Sequence, residues 1–115
     1  ASRNTVESTV RVRVERLADR YDVLAASHEF TRPFLKMDTQ GFDLQVLQGA
    51  LPRIERFLGL QSEVAVIQIY AGMPDWVEAL AAYQKAGFAL CGFFPVCRDS
   101  QLRAVELDAV MVRKD

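Results

Sequence analysis

Phe34-Leu-Lys-Met-Asp38-Thr-Gln-Gly41-Phe-Asp43-Leu-Gln-Val-Leu-Gln-Gly-Ala50 is the stretch that decides the fold. An apolar run ends in a carboxylate, Asp38, and Gly41 then turns the chain. Beyond the turn, Phe42, Val46 and Leu47 recur at helical spacing. A buried strand that feeds a helix through a short acidic turn is half of a βαβ unit. In open α/β sheets ligands bind at the carboxyl ends of such strands, which puts Asp38 at the expected site.

Outward from this stretch, the pattern predicts one strand before it and three after. Val6, Ser8, Val10, Val12 and Val14 share one parity, and Glu7, Thr9, Arg11 and Arg13 the other, the alternation of a half-buried strand. The period then changes: Leu17, Tyr21, Leu24 and Ala25 mark a short amphipathic helix, followed by a loop from Ser27 to Pro33. After the central helix, expected to stop at Gly49, Pro52 opens a second one with Leu51, Ile54, Phe57 and Leu58 on its apolar face. Glu63 to Tyr70 is a nearly continuous β-branched run, which predicts a strand covered on both faces. Pro74-Asp75 starts a helix whose Trp76, Val77, Leu80 and Ala81 face inward and which Gly87 caps. Phe88–Val96 is a third core strand, and a turn at Arg98–Gln101 makes the last strand, Val105–Arg113, antiparallel. The expected fold class is α/β, a parallel βαβαβ closed by one antiparallel strand.

Composition narrows the function classes. The chain has 115 residues, half of them apolar and a quarter charged, enough for one domain with a real core. Fourteen basic against fifteen acidic residues give a net charge of −1, which argues against a nucleic-acid partner. Apolar runs of four or five residues argue against a membrane span, and the polar Ala1–Asn4 start shows no secretory signal. Cys91 and Cys97 read as buried free thiols in a reducing, cytoplasmic setting; with His28 as the single histidine, no thiol-based metal site is expected. The glycines stand singly, so there is no phosphate-cradling loop. A phosphoacceptor reading of Asp38, as in receiver domains, needs an acidic pair on an earlier strand and a lysine ending a later one. Val14-Glu15 and Tyr70-Ala71 supply neither.

Lys36-Met-Asp38-Thr-Gln40-Gly41-Phe-Asp43, continuing through Val46-Leu47 to Gly49-Ala50, resembles the signature of FkbM-type methyltransferases, which use S-adenosyl-L-methionine to methylate hydroxyls. The likeness extends over roughly residues 5 to 113. It takes in Val12–Asp22, Leu60-Gln-Ser-Glu63, Gly87-Phe88 through Phe94-Pro95-Val96, and Leu107-Asp108-Ala109 with Val112-Arg113. Gln40 departs from the pattern, standing where a glutamate is also common. The resemblance implies a Rossmann-like class I methyltransferase sheet with its antiparallel last strand inserted near the edge. It also implies that residues 1–115 are a single partial domain, the C-terminal half, inactive without the N-terminal cofactor-binding half. On this reading Asp38 orients or deprotonates the acceptor hydroxyl, or joins a metal site. Asp38, Thr39, Gln40 and Gly41 border the cofactor, and Tyr70 and Glu63 are pocket residues for a small-molecule acceptor. Asp43 is the helix N-terminal carboxylate. The alternative is a non-catalytic α/β module that assembles through an exposed sheet edge. The free edge at Phe34–Asp38 is expected to be covered by residues 5–14 or by a second chain, as a homodimer or domain swap.

Overall fold

A computed structural model describes residues 6–68 and 71–114. Its elements run α1 (Leu17–His28), β1 (Phe34–Met37), α2 (Asp43–Ala50), a 3-10 helix (Leu51–Arg56), β2 (Gly59–Ala65), α3 (Trp76–Lys85), β3 (Phe88–Arg98) and β4 (Ala104–Arg113). The four strands form one mixed sheet in the order β1-β2-β4-β3. β1 and β2 pair in parallel, with Phe34 opposite Gly59 and Met37 opposite Ser62. β4 lies antiparallel between β2 and β3. β3 therefore runs in the same sense as β2 without touching it, and parallel pairing is confined to β1 and β2. Of the expected parallel βαβαβ only the β1–β2 pair is bonded in parallel, while β4 is inserted antiparallel next to the edge strand β3, as the family resemblance implies.

The helices cover one face. Met37, Leu60, Val64, Ala109, Met111 and Phe88 meet Tyr21, Leu47, Ala50, Ile54, Phe57, Ala79 and Tyr83 in a single buried cluster. Fully burying side chains of this size contributes roughly 1.5–3 kcal/mol each. On the opposite face Phe34 and Val112 remain partly exposed. Gly59 sits between them, and a Cβ there would meet the Phe34 ring at 2.9 Å. Arg113 closes the far end of β4: its guanidinium donates to the carbonyls of Ile54 and Phe57 and stacks 4.4 Å over the Phe88 ring.

The local punctuation reads as expected. Asp75 caps α3, accepting from the Glu78 amide at 2.8 Å, and Gly87 adopts φ +102. Several other expectations are corrected. Residues 6–14 join no strand, and Val6, Val10, Val12 and Val14 are 73–87% exposed. Alternation specifies an apolar face but supplies no partner, and the described part of this segment does not pair with the edge of β1. Gly49 lies inside α2, where a Cβ would come within 3.5 Å of Arg16, and the chain passes directly into the 3-10 helix at Leu51. β2 begins at Gly59 and ends at Ala65, four residues ahead of the apolar run, because its register is set by β1 and β4. Its helix-facing side, Leu60, Ser62 and Val64, is buried throughout, while on the other face Gly59 and Ala65 are buried and Gln61 and Glu63 only half-buried. On α3 Trp76 and Leu80 pack against the core as expected, but Val77 and Ala81 are exposed and the buried residues are Ala79 and Tyr83. β3 is an outer strand rather than a core one. Cys91 and Cys97 on it are both exposed, not buried.

Candidate functional site

The carboxyl end of β1 leads into a turn whose backbone few residues tolerate. Asp38 follows Met37 directly and is exposed. Gln40 adopts φ +54, a left-handed conformation unusual for a residue with a side chain, and Gly41 follows at φ +100, where glycine alone is unstrained. Two consecutive left-handed residues reverse the chain within a few positions and deliver it to the start of α2.

Asp43 holds this turn shut. It occupies the first position of α2, as the sequence implied, but its carboxylate does more than complement the helix dipole. It is buried, 7% exposed, and one oxygen accepts from both the amide (3.3 Å) and the hydroxyl of Thr39. The other oxygen accepts from Ser62 Oγ at 2.6 Å, and Ser62 Oγ lies 2.6 Å from the Tyr83 hydroxyl. Ser62 and Tyr83 are 1% and 0% exposed. Thr39 Oγ1 in turn accepts from the Phe42 amide at 3.0 Å. Burial pushes the Tyr83 hydroxyl well above the usual phenol range, so it stays protonated and donates. A small cleft of about 20 Å³ adjoins this network, lined by Gly41, Asp43, Ser62, Glu63, Met73 and Tyr83 among others. That is room for a water or two, far below the roughly 300–1,000 Å³ of sites that enclose a small ligand.

On the opposite face of the sheet lies a second group of carboxyls. Glu63 sits third from the carboxyl end of β2, directly across from Asp108 on β4. A hydrogen bond with Glu106, desolvation, and the charges of Glu106, Asp38 and Asp108 push the Glu63 carboxyl up to about 7. A carboxyl bonded to a carboxylate needs one proton between them, and neighbouring negative charge keeps it there. Asp38 and Glu63 are thus brought together, and Thr39, Gln40 and Gly41 form the connecting turn. Tyr70 lies outside the described residues. Among the described residues no cluster of His, Cys, Asp or Glu is arranged to hold a metal ion, and no helix is long and apolar enough to cross a membrane. Ser62 and Tyr83 were missed by the sequence reading. Their available signals were a lone hydroxyl inside an apolar strand and a tyrosine four residues after Ala79 on a helix.

No curated protein and no solved structure matches this chain. A family model does: the Methyltransferase FkbM domain, over residues 1–90. The match takes in the Asp38 turn, Asp43, Ser62 and Tyr83, and stops just inside β3, short of β4. With most of its length matched, and with the signature turn placed at the carboxyl end of a parallel strand, the chain belongs to the FkbM methyltransferase domain family.

Proposed function

We propose that this chain contributes the Asp38 wall of an S-adenosyl-L-methionine-dependent methyltransferase site that acts on a hydroxyl of a sugar or natural product. The observation that carries this reading is the Asp38–Gly41 turn, with its two left-handed residues, at the end of β1 in a member of the FkbM family. The cleft at the turn does not enclose a molecule the size of the methyl donor. In this reading further polypeptide supplies the donor's other contacts. Asp38 presents an exposed carboxylate that can accept a hydrogen bond from an acceptor hydroxyl and hold or take its proton. Gly41 leaves the backbone open to close approach. The chemistry asked of these residues is chiefly positioning, which is worth several kcal/mol when the geometry is held.

The test is transfer of a labelled methyl group from S-adenosyl-L-methionine to a panel of hydroxyl acceptors by the chain together with the polypeptide that completes the donor site, comparing wild type with Asp38→Asn. Transfer falling by roughly 10²-fold or more is the expected outcome for loss of a general base. Unchanged transfer would remove Asp38 from the site. Calorimetric titration of the donor into this chain alone is expected to show no tight binding, and tight binding would contradict the need for further polypeptide.

A second reading rests on a separate observation. One chain carries both an open β1 edge and an unpaired segment with strand-type alternation, its valines 73–87% exposed. Reciprocal pairing with a second copy would satisfy both. Sedimentation of wild type against a Val10→Lys, Val12→Lys variant tests it: a dimer lost in the variant supports assembly, and a wild-type monomer at high concentration excludes it.

A further inference from the structure

We infer that Tyr83, Ser62 and Asp43 act as a positioning relay that sets the Asp38–Gly41 turn from inside the core. The functional consequence rests on the methyl-transfer reading; the mechanical coupling does not. Three elements meet here, with Tyr83 on α3, Ser62 on β2 and Asp43 on α2, and the fourth member, Thr39, lies in the turn itself.

The donor pattern follows from a single constraint. An ionised carboxylate only accepts, so Thr39 and Ser62 must both donate to Asp43. Ser62 has then spent its proton, and the remaining bond requires the Tyr83 hydroxyl to donate to Ser62 Oγ. Every hydroxyl points toward the carboxylate, and no alternative arrangement satisfies all of them. Thr39 is fixed at both ends, because its hydroxyl donates to Asp43 and accepts from the Phe42 amide. The pair of left-handed residues, Gln40 and Gly41, lies between these anchors. A sparsely populated conformation such as that of Gln40 persists when its surroundings over-determine it. A buried carboxylate without a cation is also a costly way to hold a helix start, since an apolar residue would avoid the desolvation. The cost is understandable if the network's product is the shape of the turn rather than stability alone.

Amide hydrogen exchange on the whole chain tests the coupling. Tyr83→Phe removes one neutral hydrogen bond and leaves the ring in place; Ser62→Ala removes the link to Asp43 as well. Exchange at Thr39–Phe42 is expected to rise up to about tenfold in Tyr83→Phe, and further in Ser62→Ala. Amides of β4 should stay within about twofold of wild type, since they report the core as a whole. Ser62→Thr, which keeps the hydroxyl, is expected to restore slow exchange at the turn. A uniform rise across turn and β4 would reduce these residues to ordinary core members, and an unchanged turn in Tyr83→Phe would overturn the relay. In the methyl-transfer assay the same Tyr83→Phe variant should lower kcat with little change in KM. If exchange responds as expected while transfer does not, the relay stands and its catalytic consequence falls. If wild type, assayed together with the polypeptide that completes the donor site, transfers no methyl at all, it is the functional reading that fails, and exchange still decides the coupling.

Discussion

Ser62 and Glu63 are adjacent on β2 and face opposite sides of the sheet, and the two sides handle carboxylates in opposite ways. On the helix-covered face one carboxylate, Asp43, is surrounded by donors: two hydroxyls and an amide fill its oxygens. On the open face three carboxyl groups, Glu106, Asp38 and Asp108, act on a fourth, Glu63. Among the described residues none of the four is ion-paired with a lysine or arginine, the pairs that do form lying elsewhere on the surface. The first arrangement keeps a charge in the interior by giving it dipoles. The second lowers its charge by holding a proton. One consequence is that the open side should respond to pH near neutrality.

The most damaging way to break this contrast is on the covered side. Asp43→Ala strands the Ser62 and Thr39 hydroxyls in the interior without their acceptor. Losing hydrogen bonds to a charged group and leaving donors unsatisfied should cost about 3 kcal/mol. Urea denaturation of the variant against wild type measures this directly. A loss under about 1 kcal/mol would mean that water replaces the carboxylate and that the network is not an anchor.

A smaller effect is expected on the open side, and its sign follows from the proton. The Glu63 carboxyl moves from an ordinary 4.5 to about 7 in the folded protein. The folded state therefore holds that proton more tightly than the unfolded chain does. Its contribution to stability is complete below about pH 4.5 and is lost as pH rises through about 7. Glu106→Gln removes the partner's negative charge and should bring the Glu63 carboxyl back toward its ordinary range. Urea midpoints at about pH 5 and pH 8 should differ less in Glu106→Gln than in wild type. Equal differences in the two proteins would place the pH response outside this pair.

The same contrast explains what could be read from the sequence. The strand-turn-helix from Phe34 to Ala50, the Asp75 cap, Gly87 and the turn before β4 are local features, each fixed by a few consecutive residues. Residues 6–14 carry an equally clear local signal and yet form no strand, because a strand also needs a neighbour. The start of β2 was misplaced by four residues and its end by five for a related reason: Val64 to Ile67 is the more apolar run, but pairing with β1 and β4 selects Gly59–Ala65. Asp38 and Asp43 were visible because they flank the turn. The partners of Asp43 were not, since Ser62 and Tyr83 lie 19 and 40 positions further along the chain and meet it only once the sheet and α3 are packed. Of the candidate site, the turn was legible and its support was not.

The smallest expected change in stability is also the most pointed comparison with Asp43. Asp38 is exposed, its carboxylate makes none of the buried network's hydrogen bonds, and it adds negative charge to a group already crowded with it. Asp38→Asn should therefore leave folding stability within about 0.5 kcal/mol of wild type, and relief of repulsion favours the variant if anything. The two aspartates stand five positions apart at one turn, and denaturation should separate them by several-fold in effect. A surface carboxylate whose removal costs nothing has no structural reason to stand beside Glu63, and methyl transfer is where its loss should appear. If Asp38→Asn instead destabilised the fold as severely as Asp43→Ala, the residue would belong to the turn's architecture, and the case for a reacting group at the end of β1 would lose its footing.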